Sequence, residues 1–461
     1  MLLKNKLKDL QIKLKVDNVF SKLEERYCYA KDALNLEDNF RIPDLVVFVN
    51  TIEEIIKIVK YANTHSIPII PRGAGTNMVG SCVCTQGGIV LNFSKMNKIL
   101  NINPTNMTVT VQPGVILKDL KDAVGKFGLF FPPDPSNYKV STVGGAIAQS
   151  SSGAMAFKYG TTKNYVLSLK VISAEGKLLD LGCNLPKNPL GYHLMDLIPG
   201  SEGTLAIIVE ATFKLIPQPE FKKTLIAYFD SVENINKTIT SIISQNIFPA
   251  SIDFMDNNSM VTVENFLSVG LKTQYKYLLL IEVDGNYNSV QSQIEKITEI
   301  LKNSNSKEII IPNTSKDADK IWQARHSSYA AATRLAPDVI SDDIIVPREK
   351  ISDVIFEIEN LSKIYNLKIC LVGHIGDGNF HPQFVLDLNS ENDFRNFQEI
   401  RTKIYSKVKK LGGSVSAEHG IGLEKKEFFQ AETDITVIEY MKAIKKIFDP
   451  KNILNPGKIF N

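Results

Sequence analysis

Pro217-Gln218-Pro219 separates two stretches of chain whose rhythms differ, so one layered arrangement cannot serve both. With 461 residues the chain also exceeds what a single core normally organises. Before about residue 222, short strands alternate with glycine-rich loops and a few helices. Thr51-Ile52-Glu53-Glu54 reads as a capping box opening a helix, with Ile55, Ile58, Val59 and Ala62 as its buried stripe. Strands are expected at 67–71, 88–93, 107–112 and 204–216, the first at a sheet edge because it carries two prolines. Residues 169–173 and 178–181 read as a hairpin around Glu175-Gly176. Beyond the prolines the pattern becomes strand, amphipathic helix, strand, seen at 225–255 and again at 277–311. A helix near Ala318, a strand at 343–346, a helix over 351–365 and helices over 435–447 complete it. The reading is an α+β chain with domains 1–222 and 223–461, the second built on an antiparallel sheet.

The glycine loops of the first half carry chemistry. Arg72-Gly73-Ala74-Gly75-Thr76-Asn77-Met78-Val79-Gly80 offers many backbone N–H groups beside an arginine, which suits a pyrophosphate. It is neither a GxGxxG fingerprint, since Met78 replaces the third glycine, nor a Walker loop, since no lysine follows Gly80. Pro132-Pro133-Asp134-Pro135, Ser141-Thr142-Val143-Gly144-Gly145, Lys158-Tyr159-Gly160 and Gly200-Ser201-Glu202-Gly203-Thr204 add further points of close approach. A single phosphate does not need so many; a long dinucleotide threaded between two lobes does.

The second half concentrates histidine. Of 6 histidines in the chain, three fall in His374-Ile375-Gly376-Asp377-Gly378-Asn379-Phe380-His381 and in Glu418-His419. If Asp377-Gly378 is a two-residue hairpin turn, His374 lies directly opposite His381, with Cβ atoms ~5 Å apart. Two imidazoles and a carboxylate from Glu418 then form an open, catalytic type of metal site. In an extended Glu418-His419 segment the two side chains point opposite ways, leaving His419 for another task. Two cross-strand histidines bonded within a polar pocket remain the alternative.

Composition excludes other classes. Apolar residues make up 44% and charged residues 22%, and the net charge of +3 supplies no footprint for nucleic acid. The five cysteines (Cys28, Cys82, Cys84, Cys183, Cys370) contain no CxxC, which argues against an iron–sulfur cluster or structural zinc. Reduced thiols suit the cytoplasm. The Lys- and Leu-rich start, Met1 to Lys8, reads as a first helix rather than a secretory signal, and no apolar run reaches membrane-spanning length.

Taken together, the segments PRGAGTNMVG, QPGV, FPPDPS, STVGGAIA, KYGTT and GSEGTL resemble the FAD-binding domain of vanillyl-alcohol-oxidase-type flavoproteins. VGHIGDGNFHPQF, SAEHGIGLEKK and IFDPKNILNPGKIF resemble the C-terminal domain of the family's 2-hydroxy-acid branch, which includes glycolate oxidase flavin subunits and FAD-linked D-lactate dehydrogenases. The resemblance implies a two-lobed FAD-binding domain followed by a substrate or cap domain, whose last segment, from about 420, returns to the flavin. It assigns the FAD diphosphate to Arg72, Gly73, Ala74, Gly75, Thr76, Asn77 and Gly80. Pro133, Asp134, Ser141, Thr142, Gly144 and Gly145 would line the path to the isoalloxazine, with Gly153, Tyr159 and Gly160 as further approach points. Glu202, Gly203 and Ile207 would lie beyond it, and Asn455 would reach the flavin from the C-terminal segment. Thr76-Asn77 stand where some relatives tether flavin through a histidine, so the FAD is expected to be non-covalent.

The same resemblance makes His374, His381 and Glu418 ligands of one divalent metal (zinc, iron or manganese), His419 the catalytic base and Arg325 the carboxylate-binding arginine; Arg334 is expected as a second clamp on the carboxylate. Ser341 stands where relatives acting on dicarboxylates carry lysine, which implies a small monocarboxylate. The chain departs from the family at Ser150-Ser151-Ser152-Gly153, at Asn188-Pro189-Leu190-Gly191-Tyr192-His193 and at Ala206. The implied reaction is metal-assisted oxidation of glycolate or D-lactate, with hydride passing to flavin N5. Electrons then leave to an iron–sulfur subunit, an electron-transfer flavoprotein or a quinone, with peripheral attachment to the inner membrane face left open. A non-catalytic FAD-binding subunit and a sugar or aldonolactone oxidase are the competing readings.

Overall fold

The computed structural model describes residues 18–34 and 40–460; the Lys- and Leu-rich start of the chain lies outside this range. The chain divides into two compact units. The first comprises the described residues up to Ser152, Thr161–Gln218 and those from Glu418 onward; the second comprises Gly153–Gly160 and Pro219–Ala417. The break after the first half thus falls at Gln218, four residues before the expected 222, and each unit borrows a segment from the other half of the sequence.

In the first unit, Val19–Phe20, Leu45–Phe48, Ile89–Asn92 and Ile69–Arg72 form a four-stranded sheet in that spatial order. The last three are parallel, as a strand–helix–strand crossover requires. The crossover helix, Ile52–His65, buries the expected stripe of Ile55, Ile58, Val59 and Ala62. Thr51 caps it by accepting from the Glu54 N–H, but Glu54 Oε2 accepts from the Asn50 N–H at 2.8 Å rather than from that of Thr51. Ile69–Arg72 is the edge strand, in keeping with its proline. A second, antiparallel sheet runs Ile99–Asn103, Thr108–Val111, Ile207–Lys214, Val166–Ile172, Leu178–Gly182, and its last pair is the hairpin read from Glu175-Gly176.

The second unit is a mixed helix and sheet body on one antiparallel sheet. Its order is Glu308–Ile310, Phe221–Phe229, Tyr277–Gly285, Ser251–Asp256, Ile369–Gly373, Asn379–Leu386, Asp338–Ser341. Tyr277–Gly285 is buried along nearly its whole length, which a run such as Tyr-Leu-Leu-Leu-Ile needs when both sheet faces are covered. On one face, Ile226, Tyr228, Met255, Leu278, Leu280 and Val372 pack against Met260, Val263, Ala324 and Ala331 from covering helices. The 20-residue helix Glu391–Lys410 has no counterpart in the sequence reading, although Phe397, Ile400, Ile404 and Val408 form its buried stripe.

Candidate functional site

In the first unit the expected phosphate loop opens onto a cleft. Gly73, Ala74, Gly75, Thr76 and Asn77 line it together with Arg72, Ser141, Thr142, Gly144, Gly145, Glu202 and Gly203. Two glycines are there because nothing larger fits. A Cβ on Gly73 would lie 2.1 Å from Thr142 Oγ1, and one on Gly75, whose φ is +73°, would lie 2.1 Å from the Arg72 guanidinium. Arg72 donates to the Lys31 carbonyl at 2.8 Å and stacks on Tyr29, so part of its function is to hold the loop.

Several other residues sit elsewhere. Gly80 packs against Leu423 rather than lining the cleft. The stiff proline segment reaches the cleft through Pro135, Ser136 and Asn137 instead of Pro133 and Asp134. Ile207 starts its strand facing the core cluster, while its neighbours Ala206 and Ile208 line the cleft. The period-2 alternation of a strand makes this a one-residue error of parity. Gly153, Tyr159 and Gly160 belong to the second unit, where the Tyr159 hydroxyl donates to Asp284 at 2.7 Å and Lys158 pairs with the same carboxylate.

Glu202 organises the first unit's cleft. It sits in the left-handed region at φ +54° and is 4% exposed. Its carboxylate accepts from Ser81 Oγ at 2.6 Å, from the Ile421 N–H at 2.7 Å and from the Gly422 N–H. Burial pushes its carboxyl above the usual carboxylate range, and these donors pull it back only in part. Asn455, far along the chain, donates to the Ser81 and Glu202 carbonyls at 2.7 Å. Glu202→Ala would strand three buried donors, and we expect a loss of about 3 kcal/mol in unfolding free energy, read from urea denaturation. An unchanged midpoint would remove Glu202 from this role.

The cleft also fits the cofactor the sequence implies. Among the described residues, Ser141 Oγ, Gln149 Oε1 and Asn455 Oδ1 are buried without a hydrogen-bond partner. Such groups are costly unless a ligand or water meets them. Glu418 and His419 line the same cleft. Glu418 Oε2 accepts from Ser152 Oγ at 2.8 Å, a use for the serine run that departs from the family pattern. The segment bends at Ala417 to His419 rather than running extended, so the two side chains are close, with His419 Nε2 3.9 Å from Glu418 Oε1. The expected opposition of these side chains is therefore corrected.

The second unit holds the histidine pair, with a turn unlike the one expected. Val372, not His374, is opposite His381. Ile375–Asp377 forms a short 3-10 turn closed by Gly378 at φ +79°, where a Cβ would lie 2.1 Å from the Val346 carbonyl. The loop is thus four residues long, and His374 reaches His381 on the diagonal rather than straight across. The rings still meet, with centroids 5.4 Å apart and planes at 80°. Each uses Nδ1 on its own unit: His374 donates to Asp253 Oδ1 at 2.8 Å, and His381 to the Asp342 carbonyl at 3.3 Å. Nε2 is then the atom of each ring that a cation would meet, and carboxylate or carbonyl support at Nδ1 is the usual arrangement for metal-ligating histidines.

The buried acids behind the pair were not anticipated. Asp342 is held by Arg401 and Tyr405 of the long helix. Asp343 accepts from Asn379 at 2.8 Å and from the Ala417 N–H at 2.8 Å, fixing the chain immediately before Glu418. Asp253 is an acid set between Ile252 and Phe254 in the strand Ser251–Asp256, a signal that was available. Arg325, at the end of the helix Ser315–His326, is 4% exposed, and its Nε lies 2.9 Å from Asp253 Oδ2. Among the described residues, Arg325 Nη2 makes no hydrogen bond. Arg334 is exposed, with its guanidinium 4.9 Å from the Phe266 ring centre, and it does not join this group.

Comparisons with known proteins agree with the two halves of this picture. Residues 43–182 match the family described as FAD binding domain, and residues 218–459 match FAD linked oxidases, C-terminal domain. The chain is 41% identical to the glycolate oxidase subunit GlcD of Bacillus subtilis, over 91% of this chain and 89% of that protein. It is 34% identical to a D-lactate dehydrogenase of Archaeoglobus fulgidus, over 90% and 91% respectively. Among solved structures, p-cresol methylhydroxylase with substrate bound superposes with a TM-score of 0.81 at 16% identity, covering 99% of this chain and 97% of that one, a likeness of fold. The fold is that of the vanillyl-alcohol-oxidase-type flavoproteins, and the chain belongs to the FAD-linked oxidase family, in the branch that contains glycolate oxidase subunits and D-lactate dehydrogenases.

Proposed function

We propose that the protein oxidises a small D-2-hydroxy acid, glycolate or D-lactate, to the 2-oxo acid and passes the electrons to a separate acceptor. The observation that carries this reading is the buried pair of His374 and His381, supported at Nδ1, with the buried guanidinium of Arg325 reaching the same Asp253. A flavin cleft alone would serve many oxidations. Two imidazoles beside an arginine suit a substrate whose hydroxyl and carboxylate oxygens are adjacent.

Non-covalent FAD supplies the hydride acceptor and a divalent zinc, iron or manganese ion supplies a Lewis acid for the hydroxyl. His374, His381 and Glu418 are the residues that would hold the ion, and the Asp343 bond to the Ala417 N–H steadies the third of them. Arg325 binds the substrate carboxylate through Nη2, which has no protein acceptor among the described residues. His419 receives the hydroxyl proton as general base. Ser341, in place of a lysine, favours a monocarboxylate. The acceptor is an iron–sulfur subunit, an electron-transfer flavoprotein or a quinone, and the word subunit in the name of the Bacillus subtilis relative supports a separate partner. No helix among the described residues is long and apolar enough to cross a membrane.

Anaerobic mixing with each acid in turn tests the reading. Glycolate or D-lactate should bleach the flavin absorbance, L-lactate should not, and D-2-hydroxyglutarate should do so poorly. Flavin that stays oxidised with every one of these acids would refute it.

A further inference from the structure

Asp253 lies in the strand Ser251–Asp256, next to Ile369–Gly373, and its side chain is fully buried. Its two oxygens serve different partners. Oδ1 accepts from His374 Nδ1 at 2.8 Å, and Oδ2 faces Arg325 Nε at 2.9 Å. The helix that carries Arg325 is seated on the same sheet face, where Ala324 packs with Met255 and Val372.

We propose that Asp253 is a positioning residue that sets the metal-binding tautomer of His374 and the orientation of Arg325 at once, so that metal affinity and recognition of the substrate carboxylate depend on one buried side chain. This deepens, and rests on, the hydroxy-acid reading above. A proton held on Nδ1 by the carboxylate leaves Nε2 as the basic nitrogen. The ionic contact at Nε fixes the plane of the guanidinium and leaves Nη2, which has no protein acceptor among the described residues, for the substrate. Neither function needs Asp253 to touch substrate or metal.

Full-length protein with FAD bound, stripped of metal by a chelator, is titrated with Zn²⁺ against a chromophoric chelator. Substrate KM is then measured at saturating zinc. Asp253→Ala should weaken zinc binding about 10–100-fold, the usual effect of losing a support of this kind. It also leaves a buried guanidinium without its carboxylate and could unfold the protein. Asp253→Asn keeps the volume: its amide oxygen can still accept from His374, but its NH₂ faces Arg325. It should lose less zinc affinity than Asp253→Ala and raise KM more than it lowers kcat. Arg325→Met should raise KM and leave zinc binding unchanged, which separates the two functions.

Asp253→Asn that matches wild type in both zinc affinity and KM overturns the positioning role. Wild-type protein that binds neither zinc, manganese nor iron overturns the metal-assisted part of the functional reading. A structural function alone would lower the melting temperature without the KM shift, and that pattern also counts against the proposal.

Discussion

Stripping the metal from the purified protein should slow bleaching of the flavin by D-lactate or glycolate by about three orders of magnitude, with recovery on adding back Zn²⁺ or Mn²⁺. The size follows from what a neutral hydroxyl asks of its surroundings. An alcohol oxygen holds its proton tightly at pH 7, and polarisation by a bound cation supplies several kcal/mol that hydrogen bonds alone do not. His381→Ala should mimic the chelator. Its ring lies beside that of His374 and its Nδ1 donates to the Asp342 carbonyl, while the buried Asp343, 3.8 Å from Nδ1, keeps its bonds to Asn379 and the Ala417 N–H when the ring is removed. The FAD spectrum of the resting protein should not change, because the residues lining the flavin cleft belong to the first unit. Stopped-flow absorbance under anaerobic conditions reads both effects. Bleaching at the native rate in metal-free protein would eliminate the Lewis acid and leave the histidine pair as a hydrogen-bonded structural feature.

How far the sequence could be read depended on which signal each element carried. The helix Ile52–His65 announced itself through a cap and a clean apolar stripe, and the hairpin at Glu175-Gly176 through its turn. The helix Glu391–Lys410 did not, because Arg401 and Tyr405 interrupt its stripe to hold Asp342 and its other faces are charged. At the histidine turn, Asp377-Gly378 is a favourable two-residue pair taken alone. The contact of Gly378 with Val346, just past the strand Ile344–Ile345 and outside the hairpin, selects a longer loop. That the rings meet anyway reflects how far an imidazole reaches across a diagonal. The misplacement of Gly153, Tyr159 and Gly160 has another cause: the chain leaves the first unit for only eight residues, Gly153 to Gly160, and no local pattern reports so short an excursion. Asp253 was legible in principle, since an acid in a buried strand demands a partner. Its partners, His374 and Arg325, come from distant segments that only tertiary structure brings together.

His419→Ala should reduce the rate of flavin bleaching by about 10²- to 10⁴-fold while leaving FAD content intact. The backbone around His419 is held independently of its ring. Asn77 donates to the His419 carbonyl at 3.2 Å, Ile421 and Gly422 donate to Glu202, and the Leu423 N–H donates to the Val79 carbonyl at 2.8 Å. Removing the imidazole therefore deletes a base without loosening the cleft. A general base also leaves a signature that packing does not. In the native protein the acidic limb of kcat/KM against pH should report a group that must be deprotonated to act, and in His419→Ala that limb should flatten as the residual reaction loses its dependence on that group. Glu418 lies close enough to the ring, at 3.9 Å, that Glu418→Gln should move the limb rather than abolish it. A His419→Ala protein that bleaches at the native rate would transfer the base to another group. One that is slow but retains the native acidic limb would make His419 a residue that positions substrate, with the proton moving through a different side chain.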